Sequence, residues 1–169
     1  MKIIFVDGYN IINSWPTLRD IKEYSYETAR QNLIDYMQNY SSFKGYKIFL
    51  VFDAHKVKGS IEKTEKVGNV IVVFTKEGET ADSYIEKSVN NIGRKTEVEV
   101  VTSDSLEQQV IFQRGAIRIS SLEFYHKLKG MEEEVASSYK KHKLSKKNPI
   151  EDRIQKNVLE ELEKMRRSH

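Results

Sequence analysis

Four aspartates stand where short apolar runs end or where helices begin. Asp7 closes the run Lys2-Ile3-Ile4-Phe5-Val6 and opens Asp7-Gly8-Tyr9-Asn10, and Asp53 follows Phe52 in Phe52-Asp53-Ala54-His55. Asp82 lies in Glu79-Thr80-Ala81-Asp82-Ser83, and Asp104 in Thr102-Ser103-Asp104-Ser105. Carboxylates gathered in one place repel one another unless a cation neutralises them. Hard oxygen ligands select Mg²⁺ or Mn²⁺ over a soft transition metal. Such a metal lowers the pKa of a bound water, orients it in line and offsets charge in phosphodiester hydrolysis, with no activated serine or histidine. Gly8 would let the chain turn tightly after the first ligand, and Asn10 can bind phosphate or a metal-bound water. Taken singly, each aspartate reads as a turn or cap residue, and Asp53 as a loop holder. The coincidence of Asp7, Asp82 and Asp104 on the ligand-binding side of a sheet shifts the balance toward a metal site.

Other constellations carry less. His55, His126, His142 and His169 are scattered without metal-ligand spacing. His55 alone is near the expected site, where it reads as an exposed loop residue or a phosphate contact. Glu86 follows Asp82 by one helical turn, as a fourth acid or as a solvated partner of a lysine. Trp15, Tyr24 and Tyr26 can stack on bases, although aromatics near a helix start more often pack. There is no Gly-x-Gly-x-x-Gly and no P-loop, so a nucleotide cofactor is not expected.

The elements that must position these residues alternate. Apolar runs at Lys2–Val6, Tyr46–Phe52, Asn69–Phe74, Glu97–Val101 and Ala116–Ile119 are rich in Ile, Val and Phe. The first three lack polar alternation, as strands buried on both faces do. Between them, Ala29, Leu33, Tyr36 and Tyr40 give a helix from Ser25 to Tyr40 one apolar face. Thr80 caps a helix to about Asn91, with Gly93 beyond it. Ser105 with Gln108 and Ser120 with Glu123 read as capping boxes, the second opening a helix through roughly Tyr139. The expectation is an α/β fold around a mostly parallel five-stranded sheet, order 3-2-1-4-5. Strand order then reverses between strands one and four, where Asp7 and Asp104 would face each other across the crevice. His55 to Val67 reads as a mobile loop or small hairpin.

With no cysteine among the 169 residues, a disulfide framework, a zinc-thiolate site and a cysteine nucleophile are excluded. No apolar run approaches the ~20 residues of a membrane span. The apolar stretch at the N-terminus is too short for a signal peptide and ends in an acid, so a cytoplasmic setting is expected. The formal charge of +3 is too small to imply a polyanion partner, but its distribution is uneven. Lys140, Lys141, Lys143, Lys146 and Lys147 crowd one segment, which reads as a solvated linker or as a phosphate-binding patch. Arg114 and Arg118 are the next candidates for phosphate contacts. After Asn148-Pro149, a break, Ile150, Ile154, Val158, Leu162 and Met165 form a stripe expected to pack back on the domain. The expected division is one α/β domain over 1–139 and a lysine-rich linker with a C-terminal helix over 140–169.

Asp7-Gly8-Tyr9-Asn10-Ile11-Ile12, Phe52-Asp53-Ala54, Glu79-Thr80-Ala81-Asp82-Ser83-Tyr84-Ile85-Glu86 and Val101-Thr102-Ser103-Asp104 together resemble the motifs of NYN domains, a branch of the PIN-like nucleases. Their order and spacing, with the lysine-rich extension, look most like the bacterial YacP-type members. The resemblance implies a PIN-like α/β three-layer sandwich, a nuclease domain over 1–139, Mg²⁺- or Mn²⁺-dependent endoribonuclease activity and, for this type, association with ribosomes and cleavage of translated mRNA. Asp7, Asp82 and Asp104 match the family's acidic positions, and Asn10 and Asp53 its accessory ones. Many NYN domains carry a second Asp after the one matching Asp82, where this chain has Ser83. A competing reading is an RNA- or ribosome-binding module with little activity, which would not need the complete acidic set. Another is a HAD-like phosphatase, which carries an Asp where this chain has Tyr9.

Overall fold

The sheet is built from the apolar runs, with one strand more than they announce. A computed structural model describes residues 1–54, 61–102, 115–153 and 163–166, with 145–153 described for the backbone only. The order along the chain is β1 (Ile3–Asp7), α1 (Gly8–Ser14), α2 (Pro16–Lys22), α3 (Tyr26–Lys44), β2 (Lys47–Phe52), β3 (Lys63–Val67) and β4 (Val70–Phe74). There follow α4 (Ala81–Asn91), β5 (Val98–Val101), β6 (Ile117–Ile119) and α5 (Ser121–Arg153). The six strands are ordered β3-β4-β2-β1-β5-β6, all parallel except the β3–β4 pair.

The expected order of the five strands holds, and the sheet gains the antiparallel edge strand β3, which forms a hairpin with β4 at the end of the stretch expected as a loop or small hairpin. Its sequence Lys63-Thr64-Glu65-Lys66-Val67 is exposed at four of five positions, so it carries no apolar signal. Charged side chains on an edge also discourage pairing with another chain. It joins β4 through Gly68-Asn69, where Gly68 has φ +61 and, among the described residues, no non-glycine residue has positive φ. Glycine first and a negative φ second is the arrangement of a type II′ hairpin turn.

Strand alternation sorts the core. Phe5, Val51, Val73 and Val100 face the Ala81, Ile85 and Val89 stripe of α4, residues spaced to share one helix face. The opposite face of β2 and β4 is covered by α3. Helix ends follow the expected caps: Ser25, Thr80 and Ser120 each accept a hydrogen bond at 3.1 Å from the backbone N–H three residues on. The box at Ser105 and Gln108 lies outside the described residues.

Residues Met1–Leu128 and Lys129–His169 form two compact units. In the second, the helix does not stop near Tyr139 and is not broken at Asn148-Pro149. It continues to Arg153: the Glu, Ala, Ser and Lys residues after Gly130 offer no breaker before Pro149, and the proline does not end it. The stretch expected as a linker from residue 140 is therefore helical to Arg153. Of the apolar stripe only the Met165 side chain is described, and it is exposed. No helix among the described residues is long and apolar enough to cross a membrane.

Candidate active site

Asp7 ends β1 two residues after Phe5, so alternation places it on the face covered by α4. Asp53 follows Val51 by the same interval, one residue beyond β2. The helix α4 returns from β4 toward β5 and packs over β2 and β1. A crossover helix between parallel strands runs antiparallel to them, so the start of α4 lies over the strands' carboxyl ends. Asp82 sits in its first turn, where the helix dipole favours an anion. Three carboxylates thus reach one place from three elements.

They line a cavity of about 680 Å³ together with Tyr9, Asn10, Asn13, Tyr26, Arg30, Ala54, Phe74, Thr80 and Ala81. Among the described residues, this cavity lies over the ends of β1, β2 and β4. The path of α4 carries Asp82 across β2. Asp104, expected on the β5 side, lies outside the described residues.

The electrostatics are those of acids crowded together. Asp7 is pushed up from an ordinary 3.8 to about 7, by burial first and then by the charge of Asp82. A hydrogen bond shared with Asp82 and the charge of Asp53 act in the same direction. The Asn10 backbone N–H, donating to Asp7 Oδ1 at 3.3 Å as the cap of α1, pulls the other way. Asp82 Oδ1 is buried with no hydrogen-bond partner among the described residues. Oxygen donors, crowded negative charge and an orphaned carboxylate oxygen suit a hard divalent cation. Among the described residues no three acids or histidines stand close enough to hold a metal by themselves.

The supports of this site were partly hidden in the sequence. Gly8 is needed for space rather than for a left-handed turn, since its φ is not positive. A Cβ there would come within 2.6 Å of Phe52 Cδ1, and Phe52 is fixed between Tyr9 and Phe74 with ring centroids at 5.2 and 5.4 Å. Fully buried Thr75 ties the loops carrying the acids together. Its hydroxyl accepts from Ala54 N at 3.1 Å and donates to Glu79 O at 2.7 Å, while its own N–H donates to Phe52 O at 3.1 Å. Neither Thr75 nor Arg30 stood out before folding, because each acts only through contacts between distant segments.

Other expected residues are placed as follows. Asn10 and Asp53 line the cavity. Glu86 is exposed and is not part of the lining. Trp15 is buried and donates its indole N–H to Ser121 O at 2.8 Å, so it packs rather than stacks on a base. Tyr24 is 91% exposed and off the cavity, whereas Tyr26 lines it. Lys140, Lys141 and Lys143 are exposed on α5. The side chains of Lys146 and Lys147 lie outside the described residues, as do His55 and Arg114. Arg118, on β6, is half-buried, with Nε lacking a partner among the described residues.

A parallel sheet that delivers carboxylates from successive strand ends to a helix start has the architecture of a PIN-like domain of the nuclease type. The sequence matches the YacP-like NYN domain over residues 4–167. The chain belongs to this YacP-like NYN family. It is 43% identical over 170 residues to the protein YacP of Bacillus subtilis (strain 168), covering 99% of this chain and 98% of that one. It is also similar to the crystal structure of Rae1 (YacP) from Bacillus subtilis, with a TM-score of 0.72, 42% identity and coverage of 99% and 95% of the two chains. A crystal structure of a tryptophan-to-leucine mutant of that protein matches with a TM-score of 0.69 and 40% identity, over 82% of this chain and 81% of that one.

Proposed function

We propose that the protein is a divalent-metal-dependent endoribonuclease that hydrolyses phosphodiester bonds of messenger RNA in association with the ribosome in the cytoplasm. The observation that carries this reading is the convergence of Asp7, Asp82 and Asp53 on one cavity, with Asp7 pushed up to about 7 by burial and by its acidic neighbours. So much repulsion is costly to a fold unless the site takes up positive charge. Family membership supports the nuclease class.

Asp7 and Asp82 would hold Mg²⁺ or Mn²⁺, with Asp104 as the third acid. When bound, the metal supplies an activated water and neutralises charge on the phosphate. Asp7 gives up its proton as the site fills. Asp53 and Asn10 stand on the same cavity wall, positioned to orient a water or a phosphate oxygen by hydrogen bonding. Lys140, Lys141, Lys143, Lys146 and Lys147, with Arg114 and Arg118, form the proposed basic contacts to RNA or the ribosome.

Incubating the protein with RNA and Mn²⁺, with and without ribosomes, tests the reading. Metal-dependent internal cleavage is expected, stimulated by ribosomes on translated RNA. Intact RNA in every condition would contradict the proposal.

A further inference from the structure

The cavity has a second wall that the acids do not explain. Tyr26 and Arg30 stand on α3 four residues apart, and so share a helix face. Tyr9 projects between α3 and the sheet. Its ring meets Tyr26 edge-on at 6.0 Å and Phe52 at 5.2 Å. Its hydroxyl accepts from Arg30 Nη1 at 3.4 Å, which orients the guanidinium without neutralising it. Among the described residues lining the cavity, Arg30 is the single cation. At the rim, Lys22 donates to Asn13 Oδ1 at 2.6 Å, adding a second positive charge on this side. Tyr26 is 47% exposed, so part of its ring remains available for contact.

The volume has the same implication. A hydrated metal ion needs only a few water volumes of roughly 30 Å³ each. About 680 Å³ falls within the roughly 300–1,000 Å³ of sites that enclose small organic ligands. The space beyond the acids has an aromatic face and a guanidinium. An unpaired base has a π-face that stacks on tyrosine, and guanidinium grips phosphate through paired N–H donors.

We infer that Tyr26 and Arg30, braced by Tyr9, form a subsite for one nucleotide of single-stranded RNA beside the bond to be cut. Tyr26 stacks on the base, and Arg30 holds a neighbouring phosphate that is not cleaved. This assignment rests on the ribonuclease reading for its substrate class, but binding and hydrolysis can be measured separately.

The test is fluorescence anisotropy of a labelled eight-nucleotide single-stranded RNA in EDTA across a salt series, beside Mn²⁺-dependent cleavage of the same RNA. Arg30→Gln is expected to bind about tenfold more weakly, with a log–log salt slope shallower by about 0.7, the value for one lost phosphate contact on a single strand. Arg30→Lys keeps most of the slope. Tyr26→Ala weakens binding at least about fivefold at every salt concentration with the slope unchanged, and Tyr26→Phe binds like the parent. Parent-like affinity in both Arg30→Gln and Tyr26→Ala would overturn the subsite, as would absence of parent binding in EDTA. If the parent still cleaves in either case, the ribonuclease reading survives alone. If the parent binds with this variant pattern but never cleaves, the subsite stands and hydrolysis falls.

Discussion

Asp7→Asn should make the metal-free protein more stable at neutral pH and leave it unchanged in acid. The unfolded chain releases the Asp7 proton near 3.8, whereas the folded chain keeps it to about 7. Above 3.8 the folded state therefore binds more protons, and stability falls as pH rises until it levels off beyond 7. Three pH units at about 1.4 kcal/mol each amount to about 4 kcal/mol of lost stability. Asn keeps the shape, and its oxygen can still accept the Asn10 N–H at the start of α1, since Asn caps as well as Asp. Its amide can donate to Asp82, replacing repulsion by a hydrogen bond. In EDTA at pH 8 the variant should therefore melt roughly 8–16 °C above the parent. Near pH 4 the two should melt together. Thermal melts from pH 4 to 8.5 measure this directly. A difference constant across that range, or a variant weaker throughout, would show that Asp7 is an ordinary cap and that the electrostatic reasoning is wrong.

The same crowding predicts that millimolar Mn²⁺ or Mg²⁺ raises the parent's melting temperature and releases protons near pH 6.5, while Asp7→Asn responds less; calorimetry in two buffers of different ionisation enthalpy reads both. Gly8→Ala should cost about 1–3 kcal/mol by driving a methyl into the Phe52 ring, and adding Phe52→Leu should recover part of the loss in urea melts. Thr75→Val, which strands Ala54 N and Glu79 O, should cost about 1–3 kcal/mol, whereas Thr75→Ser should retain most of the stability. Changing Lys140, Lys141, Lys143, Lys146 and Lys147 to Gln should weaken ribosome co-sedimentation and lower its salt slope by about one for each lost phosphate contact; unchanged sedimentation would leave that segment a solvated helix.

Much of this fold was legible because local and tertiary signals agree. Strands buried on both faces must be apolar throughout, so Ile4 to Val6 and Ile48 to Phe52 announce themselves, and Thr80 and Ser120 mark helix starts by their hydroxyls. The acids were visible because they end such runs. Short helices were not. Seven-residue α1 is too brief to show periodicity, and its cap is Asp7 itself, which sequence reasoning had assigned to chemistry. For α2 a signal existed in Pro16, a residue suited to the first helical position. The edge strand β3 has the composition of a loop, and only the Gly68-Asn69 turn betrays the hairpin. Arg30 looks like an ordinary helix-surface residue, and Tyr26 like one of three aromatics able to stack on a base, until α3 packs beside β2 and brings both to the cavity. The lesson is physical: residues that act where they sit in the chain can be read, while residues that act across a cavity need the fold.

The central claim is that Asp7 and Asp82 act as one metal-holding unit that cuts RNA. The most direct measurement is the cleavage rate of a labelled translated RNA on ribosomes in Mn²⁺ by the parent, Asp7→Asn, Asp82→Asn and the double variant. Each single change should slow cleavage by about a hundredfold or more, with the double variant no slower than the weaker single, because either loss disables the same site. Small losses that multiply in the double variant, or single variants that cut like the parent, would contradict it.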